Sequence, residues 1–246
     1  MDQWRNMFIR LFLAALLSTC ALVQNAISQN KGNLYLEPVI GFHTRWIANQ
    51  DIYGNAEMDY ATTYGASAGF RMYYFPDDDI GLSAGFGYRK MGQNYEGDQR
   101  GANAVRKVSL NYIQIPVMAM FALSGHQYPT WFSIGPQAFF LTGSQQYFFR
   151  NEGGSPLNNP DYLPAGTINV YDWYRPVDIL VGIEFNKMFR LDKLPKLTAN
   201  ITFEGAYGIF DINSKEYRIP NVRGIYEGSH NMYIGFRFGL LYNTTK

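Results

Sequence analysis

The sequence predicts an all-β protein: an eight-stranded antiparallel transmembrane β-barrel in which consecutive strands form an up-and-down meander. Apolar residues alternate with small or polar ones at period two, long and short connections follow one another, and the apolar face suits lipid. Charged residues make up 17% of the 246 residues and aromatic residues another 17%. Because soluble domains usually carry about 25% charged residues, this composition is unusual for a soluble domain.

The composition also excludes several classes of protein. Disordered chains have few aromatic residues and a high net charge, whereas this chain has 19 Tyr, 18 Phe and a formal net charge of +1. The same near-neutral charge leaves no excess of lysine and arginine for phosphate groups, so no nucleic-acid partner is predicted. The single cysteine, Cys20, excludes a disulfide framework and a cysteine-rich metal module.

Residues 1–28 have the features of a secretory signal peptide. Arg5 and Arg10 give a basic start, residues 11–23 form an apolar run, and Ala26-Ile27-Ser28 resembles a cleavage site between small residues. The apolar run is too short for a membrane-spanning helix. We therefore predict that residues 29–246 form the mature outer-membrane barrel domain.

The predicted mature domain is electrically neutral and has no cysteine. Without residues 1–28, it carries 19 basic and 19 acidic residues. A chain without thiols is well suited to an oxidising compartment. A lipoprotein signal with Cys20 as the lipidated residue is an alternative, but the preceding Thr19 fits that signal poorly.

Eight stretches of the mature chain have the character of strands. Each is long enough for a tilted membrane crossing, which needs about 9–11 residues. Four alternate clearly, and they cover residues 64–74, 80–89, 177–186 and 232–242. Four fit the pattern less cleanly, and they cover residues 33–45, 107–123, 131–143 and 197–210.

The connections between these stretches alternate in length. They contain 15, 5, 16, 7, 29, 9 and 18 residues, and they cover 46–60, 75–79, 91–106, 124–130, 144–172, 188–196 and 211–228. Barrels of the Gram-negative outer membrane have short periplasmic turns and longer extracellular loops. We therefore predict an integral outer-membrane protein with its long loops extracellular and, because the strand number is even, both termini periplasmic.

The two faces of the strands fit lipid on the outside. The predicted outward positions hold Leu, Ile, Val, Phe, Ala and Tyr, and the inward ones hold Gly, Ser, Thr, Gln and charged residues. A soluble lipocalin would show the inverse. Aromatic residues at 73–75 and 147–149 resemble the girdles at membrane interfaces. The outer-membrane lipid is thus the first predicted partner.

Four prolines lie in or beside the predicted strands: Pro38, Pro116, Pro136 and Pro176. Every strand of a closed barrel pairs on both sides, so a proline removes a ladder hydrogen bond. We expect these prolines at bulges or near a rim.

Three short segments resemble the PorT-like outer-membrane β-barrel family of Bacteroidetes. They are Asn111-Tyr112-Ile113-Gln114-Ile115-Pro116-Val117, Ser133-Ile134-Gly135-Pro136-Gln137 and Phe203-Glu204-Gly205-Ala206-Tyr207-Gly208. The resemblance implies a signal peptide followed by an eight-stranded barrel. It also implies a place in the cell envelope, since the family's named member belongs to the type IX secretion and gliding machinery.

The charged inward positions are the predicted structural site. They are Glu37, His43, Arg71, Arg89, Asp178, Glu184, Glu204 and Arg237. Eight strands enclose room only for side chains, and buried charges must be paired. We interpret these residues as interior ion pairs that plug the barrel, with Glu37 best placed to meet Arg71 or Arg237. A channel lining or a proton path is the alternative.

No catalytic, cofactor-binding or metal site is predicted. Ser229, His230 and Glu227 lie close together in sequence near the predicted outer rim, but no nucleophile motif surrounds them. His126 falls in a predicted periplasmic turn. Asp77-Asp78-Asp79 follows Pro76 in a five-residue connection, which favours a solvated turn over a metal site.

The connection 144–172 is the most distinctive one. Residues 145–150 and 167–174 keep the composition of strands, so we expect them to extend strands five and six above the membrane as a hairpin with a polar tip at 151–164. Such a loop is a plausible binding surface. The favoured function is a non-enzymatic anchor or partner-binding component of an envelope assembly. An adhesin or receptor barrel and a lipid-modifying enzyme are the alternatives.

Overall fold

The computed structural model describes residues 32–48, 58–99, 102–124, 129–152, 155–156, 166–191, 193–194, 196–218 and 224–244. These residues form twelve strands: β1 (Leu34–Ala48), β2 (Asp59–Ala61), β3 (Tyr64–Tyr74), β4 (Ile80–Met91), β5 (Asn94–Gln99), β6 (Ala102–Ser124), β7 (Thr130–Glu152), β8 (Ser155–Pro156), β9 (Gly166–Asn169), β10 (Val177–Arg190), β11 (Leu197–Gly208) and β12 (His230–Asn243). Two 3-10 turns, Tyr171–Trp173 and Lys215–Tyr217, are their only helical segments. Neither is long and apolar enough to cross a membrane.

Eight of the strands close into a ring. The order of neighbours is β6-β4-β3-β1-β12-β11-β10-β7, and β7 pairs with β6 to close it, with every pair antiparallel. The predicted eight-stranded barrel is therefore confirmed, and each of the eight predicted stretches coincides with one of these strands. Closure leaves no unpaired strand edge along the ring, as hydrocarbon requires.

The outer surface of the ring is apolar and the inner one is closely filled. On β1, Ile40 and Phe42 face outward with 57% and 63% exposure, whereas Glu37 faces inward with none. The same alternation continues around the ring, with exposed Leu, Ile, Val, Phe and Tyr on the outside of every barrel strand. In water this surface would be unfavourable, so the fold needs a lipid environment.

Three of the four prolines interrupt a ladder within the barrel wall. The pairing of β1 with β12 skips Pro38, that of β4 with β6 skips Pro116, and that of β6 with β7 skips Pro136. These three prolines cause gaps in the ladder and not bulges, which corrects the expectation, because the register shifts between β6 and β7 lie at 111–112 and 122–124. The fourth, Pro176, precedes β10 at its end.

At one end of the barrel a small sheet projects beyond the ring. β6 and β7 contain 23 residues each, and their outer parts pair with each other from Asn103↔Asn151 onward. β5 pairs with the outer part of β6, β2 pairs with β5, and β8 and β9 pair with the outer part of β7. We call this sheet the extension. The end of the barrel that carries it is the extended end, and the opposite end is the turn end.

The extension confirms one prediction and corrects two. Residues 145–150 do continue strand five, and β9 pairs with them. The segment 167–174 does not continue strand six, because the 3-10 turn Tyr171–Trp173 separates β9 from β10. The predicted loop 91–106 is also wrong in part, since it contains β5 and the start of β6.

Two connections meet across the extended end and cap the barrel. The Arg175 N–H donates to the Ile212 carbonyl (2.7 Å), the Ser214 N–H donates to the Trp173 carbonyl (2.9 Å), and Tyr174 and Asn213 form an antiparallel bridge. The cap inserts Tyr174 and Ile212 among the buried residues of the barrel. The extended end is thereby closed by ordered backbone.

Candidate functional site

The barrel interior contains three layers. At the turn end, an apolar cluster consists of Tyr35, Tyr73, Phe75, Met120, Ala122, Trp131, Met188 and Leu241. At the extended end, a larger apolar cluster includes residues of β1, β4 to β7, β10, β12 and the cap. The charged side chains lie between the two. The sequence-based expectation of a uniformly polar inward face is therefore wrong, because alternation alone does not separate inward from outward aromatic residues.

Arg237 is the centre of the charged layer. Its guanidinium group donates to both carboxylate oxygens of Glu184, at 3.0 and 2.9 Å, and also to Glu204 Oε2 at 2.7 Å. Glu184 and Glu204 face each other directly across β10 and β11. Two carboxylates at such positions repel each other, so the guanidinium group of Arg237 holds them together by charge-assisted hydrogen bonds.

Two further arginines cross the lumen. Arg71 Nη2 on β3 donates to Glu184 Oε1 at 2.8 Å, and Arg89 Nη2 on β4 donates to Glu204 Oε1 at 2.5 Å. β3 and β10 lie four strands apart around the ring, as do β4 and β11. These ion pairs therefore join opposite walls of the barrel, and all of their side chains are at most 3% exposed.

Aromatic and amide groups hold the arginines in place. The guanidinium carbon of Arg89 lies 3.9 Å from the centre of the Tyr233 ring, a cation–π contact. Arg89 Nε donates to Gln114 Oε1 at 2.6 Å, and Gln114 Nε2 donates to Gln137 Oε1 at 3.1 Å. The inward-facing Gly85 leaves room for the long side chain of Arg71, because a Cβ at Gly85 would lie 2.7 Å from Arg71 Cδ.

Glu37 lies in the interior but is not ion-paired, which corrects the prediction that it meets Arg71 or Arg237. Its Oε1 accepts a hydrogen bond from Asn200 Nδ2 at 2.9 Å, and its Oε2 accepts one from the Tyr73 hydroxyl. Arg71 is its direct cross-strand neighbour but extends to Glu184 instead. Both oxygens of Glu37 already have neutral donors, whereas the two opposed glutamates need positive charge between them.

Asp178 is the second residue for which the predicted ion pair is wrong. It is buried near the extended end, and its Oδ2 accepts a hydrogen bond from Asn231 Nδ2 at 2.9 Å. It makes no ion pair with any described residue, since the apolar cluster at the extended end, which includes Leu180, separates it from the arginine layer. Of the eight predicted interior residues, the structure thus brings five together in ion pairs and leaves Glu37, Asp178 and His43 to hydrogen bonds.

The described histidines and Ser229 make contacts with other residues of the barrel and of the cap. His43 is buried, and its Nε2 lies 2.9 Å from the Lys90 carbonyl oxygen. Near the cap, Asn213 Nδ2 donates to Ser229 Oγ at 2.9 Å, and the His230 ring stacks on Tyr207. His126 lies outside the described residues. The described residues contain no group of three or more His, Cys, Asp or Glu side chains that could hold a metal ion.

A network of polar side chains in the cap was not predicted from the sequence. Asp211 accepts hydrogen bonds from the Tyr226 hydroxyl at 2.7 Å and from the Ser229 N–H at 3.1 Å, and it pairs with Arg218 Nε at 3.0 Å. Burial raises the pKa of Tyr226, so this hydroxyl stays protonated and able to donate. These residues lie in a connection with no regular pattern, so the sequence contains no signal for their contacts.

A comparison with models of protein families identifies the family of this chain. The model of the outer membrane protein beta-barrel domain family matches residues 25–215, which is more than half of the chain. The chain belongs to this family. As a member of the outer membrane protein beta-barrel domain family, it is an integral protein of the outer membrane, and its apolar outer surface contacts lipid.

Several solved structures are similar to this chain. OprG from Pseudomonas aeruginosa is 8% identical with a TM-score of 0.44, and the alignment covers 90% of this chain and 100% of OprG. Ail of Yersinia pestis is 11% identical with a TM-score of 0.39, covering 87% and 99%. Neisserial surface protein A is 10% identical with a TM-score of 0.39, covering 85% and 96%. A search of curated proteins gives no significant match.

As a closed barrel of this family, the protein is expected to be heat-modifiable. In mild detergent without boiling it should migrate on a gel as a compact species, and boiling should shift it to the position of the unfolded chain. The reason is that every strand of the ring is hydrogen-bonded on both sides. Cell fractionation should recover it with the outer membrane, and recovery in the soluble periplasm would contradict the assignment.

Proposed function

We propose that the protein is a non-enzymatic anchor that presents a partner-binding platform to a cell-envelope assembly. The filled interior is the observation that carries this proposal. Arg71 and Arg89 join opposite walls, Arg237 links the two glutamates that they reach, and apolar layers cover the charged layer on both sides. The described side chains fill the lumen, and we infer that the protein binds its partner at one of its ends.

The extension is the surface best suited to a partner. It raises β2, β5, β8, β9 and the outer parts of β6 and β7 beyond the ring, where we expect water and not hydrocarbon to surround them. It displays both charged and aromatic side chains, with Lys107 and Tyr147 at 5.9 Å in a cation–π arrangement. The resemblance to the PorT-like barrels of Bacteroidetes supports a partner from the envelope, such as a component of type IX secretion or gliding.

The extended end is proposed to face the cell exterior, with the turn end and both termini in the periplasm. The motive is the asymmetry of the connections, since the turn at 75–79 is short and the extension lies at the other end. The predicted mature chain has no cysteine, so single cysteines can report this orientation.

Cysteines introduced at Lys107 and Asp172 are expected to react with a membrane-impermeant maleimide on intact cells. Both residues are exposed at the extended end, whereas Asp77 lies at the turn end. Asp77→Cys should react only after the outer membrane is permeabilised. Val181→Cys, on the lipid-facing side of β10, serves as a control that should react in neither case. Reaction of Asp77→Cys alone on intact cells would show that the orientation is inverted.

Site-specific photo-crosslinking tests the platform itself. A photoreactive amino acid at Lys107 or Asp172 should capture a discrete envelope protein in living cells, while the same group at Val181 should capture only lipid. Capture at Asp77 alone would move the partner site to the turn end. Capture of host or environmental molecules at Lys107, with no envelope protein, would favour the adhesin or receptor alternative.

The purified protein is expected to show no steady conductance in planar bilayers. The apolar layers and the ion pairs fill the lumen, and an eight-stranded ring has room only for side chains. Single-channel recording over a range of voltages checks this. Steady ion flow through the wild-type protein would contradict the anchor and favour a channel.

A further inference from the structure

The turn end of the barrel carries its charges unevenly. Residues 187–196, where β10 turns into β11, include one acid, Asp192, and four basic residues, which are Lys187, Arg190, Lys193 and Lys196. We call this segment the basic hairpin. Three acids of the turn end, Asp77-Asp78-Asp79, lie between β3 and β4. These two strands are each four positions around the ring from β10 and β11, so the acids lie on the opposite side of the barrel.

Backbone hydrogen bonds hold the tip of the basic hairpin in shape. The Leu191 N–H donates to the Leu197 carbonyl (3.4 Å), the Leu194 N–H to the Leu191 carbonyl (2.8 Å), and the Leu197 N–H to the Leu194 carbonyl (2.8 Å). Leu194 is 52% exposed, and Lys193 and Lys196 are exposed on either side of it. Neither lysine forms an ion pair within the described part of the chain. The tip therefore presents an apolar side chain between two positive charges.

Lys187 brings a further positive charge to the edge of the lipid-facing surface. It is directly opposite Ile201 on β11 and two positions after Phe185, and both of these side chains are exposed on the outside of the barrel. Its ammonium group donates to Thr130 Oγ1 at 2.9 Å, and Thr130 begins β7 at the turn end. A lysine at such a position keeps its stem on apolar surface and its charge at the membrane interface.

We propose that the basic hairpin binds the phosphate group of an anionic phospholipid, of the phosphatidylglycerol class, in the periplasmic leaflet. Lys187, Lys193 and Lys196 supply the positive charge at headgroup level, and the exposed Leu194 adds apolar contact. A zwitterionic phospholipid carries its own positive charge beside the phosphate, so it gains less from these lysines. The choice of leaflet rests on the orientation proposed above, which the maleimide experiment tests separately.

Native mass spectrometry of the full mature chain, folded in a non-ionic detergent, tests the lipid preference. We expect the wild type to bind a first phosphatidylglycerol more tightly than a first phosphatidylcholine. Replacing Lys193 and Lys196 by serine should weaken phosphatidylglycerol binding by about fivefold for each lysine removed. Lys90→Ser with Lys215→Ser removes the same charge from the extended end and should bind like the wild type. Equal loss in both double variants, or no lipid preference in the wild type, would overturn the proposal.

Two other occupants give different results in the same spectra. Tighter binding of lipid A than of phosphatidylglycerol, lost on replacing Lys193 and Lys196, would assign the basic hairpin to lipopolysaccharide and contradict the phospholipid. A second copy of the chain could instead place Asp77-Asp78-Asp79 against the basic hairpin. A dimer that is lost on replacing these three acids by asparagine, with lipid binding unaffected by the lysines, would show self-association and refute the lipid site. Heat modifiability checks that each variant is folded.

Discussion

Replacing Arg237 by methionine is expected to destabilise the barrel by about 3–5 kcal/mol, the typical cost of removing one partner of a buried charged pair. The loss is large because Glu184 and Glu204 face each other directly across β10 and β11 and share this guanidinium group. Without it, two buried carboxylates lie side by side, with only Arg71 and Arg89 left to offset them. Urea unfolding in lipid vesicles measures the change.

Arg218→Met is the matched control. Arg218 pairs with Asp211 in the cap, but its side chain is 32% exposed, and such pairs contribute about 1 kcal/mol or less. Arg237→Met combined with Glu184→Gln and Glu204→Gln should not recover the lost stability, because it leaves the buried Arg71 and Arg89 without their acids. If Arg237→Met alone unfolded like the wild type, the ion pairs would not hold the barrel together.

Replacing Gly69 by alanine is the second change with a large expected effect. A Cβ at Gly69 would lie 2.3 Å from the Phe86 carbonyl oxygen and 2.6 Å from Gly87 Cα, so the backbones of β3 and β4 would have to separate. Overpacking of this kind costs about 1–3 kcal/mol, and occasionally more. We expect a smaller heat-modifiable fraction after refolding and a lower urea midpoint.

Gly205→Ala provides the comparison for this prediction. The first atom that a Cβ at Gly205 would meet is the Tyr233 carbonyl oxygen at 3.4 Å, an ordinary contact distance. The same glycine-to-alanine change should therefore leave folding nearly unaffected there. Equal behaviour of the two variants would show that the close approach of β3 and β4 is not needed for folding.

The barrel could be predicted from the sequence because a membrane imposes simple rules on it. Period-two alternation, as in residues 80–89, determines which side chains face lipid, and the alternation of connection lengths predicts how the strands connect. Part of the extension was not predicted, because the segment that forms β5 is polar and contains a glycine, as a loop would. Its sequence is Asn94-Tyr95-Glu96-Gly97-Asp98-Gln99. It forms β5 only because the outer part of β6 offers it a free edge.

The interior partners were less predictable than the interior positions. Alternation placed Glu37 and Arg71 on the inward face, and they are direct neighbours across β1 and β3. The preference of Arg71 for Glu184 depends on which side chains lie across the lumen, and this is set by the tilt and stagger of all eight strands. The hydrogen bond from Asn200 to Glu37 likewise joins residues 163 positions apart.

The ion pairs across the lumen also have a consequence for the order of assembly. Arg71 and Glu184 are 113 positions apart in sequence, and Arg89 and Glu204 are 115 apart. A β3–β4 hairpin that entered the hydrocarbon by itself would take two arginines with it and leave their acids behind, at a high cost in free energy. We therefore expect insertion and closure to be a single concerted event in which the charges meet their partners only when the last strands join.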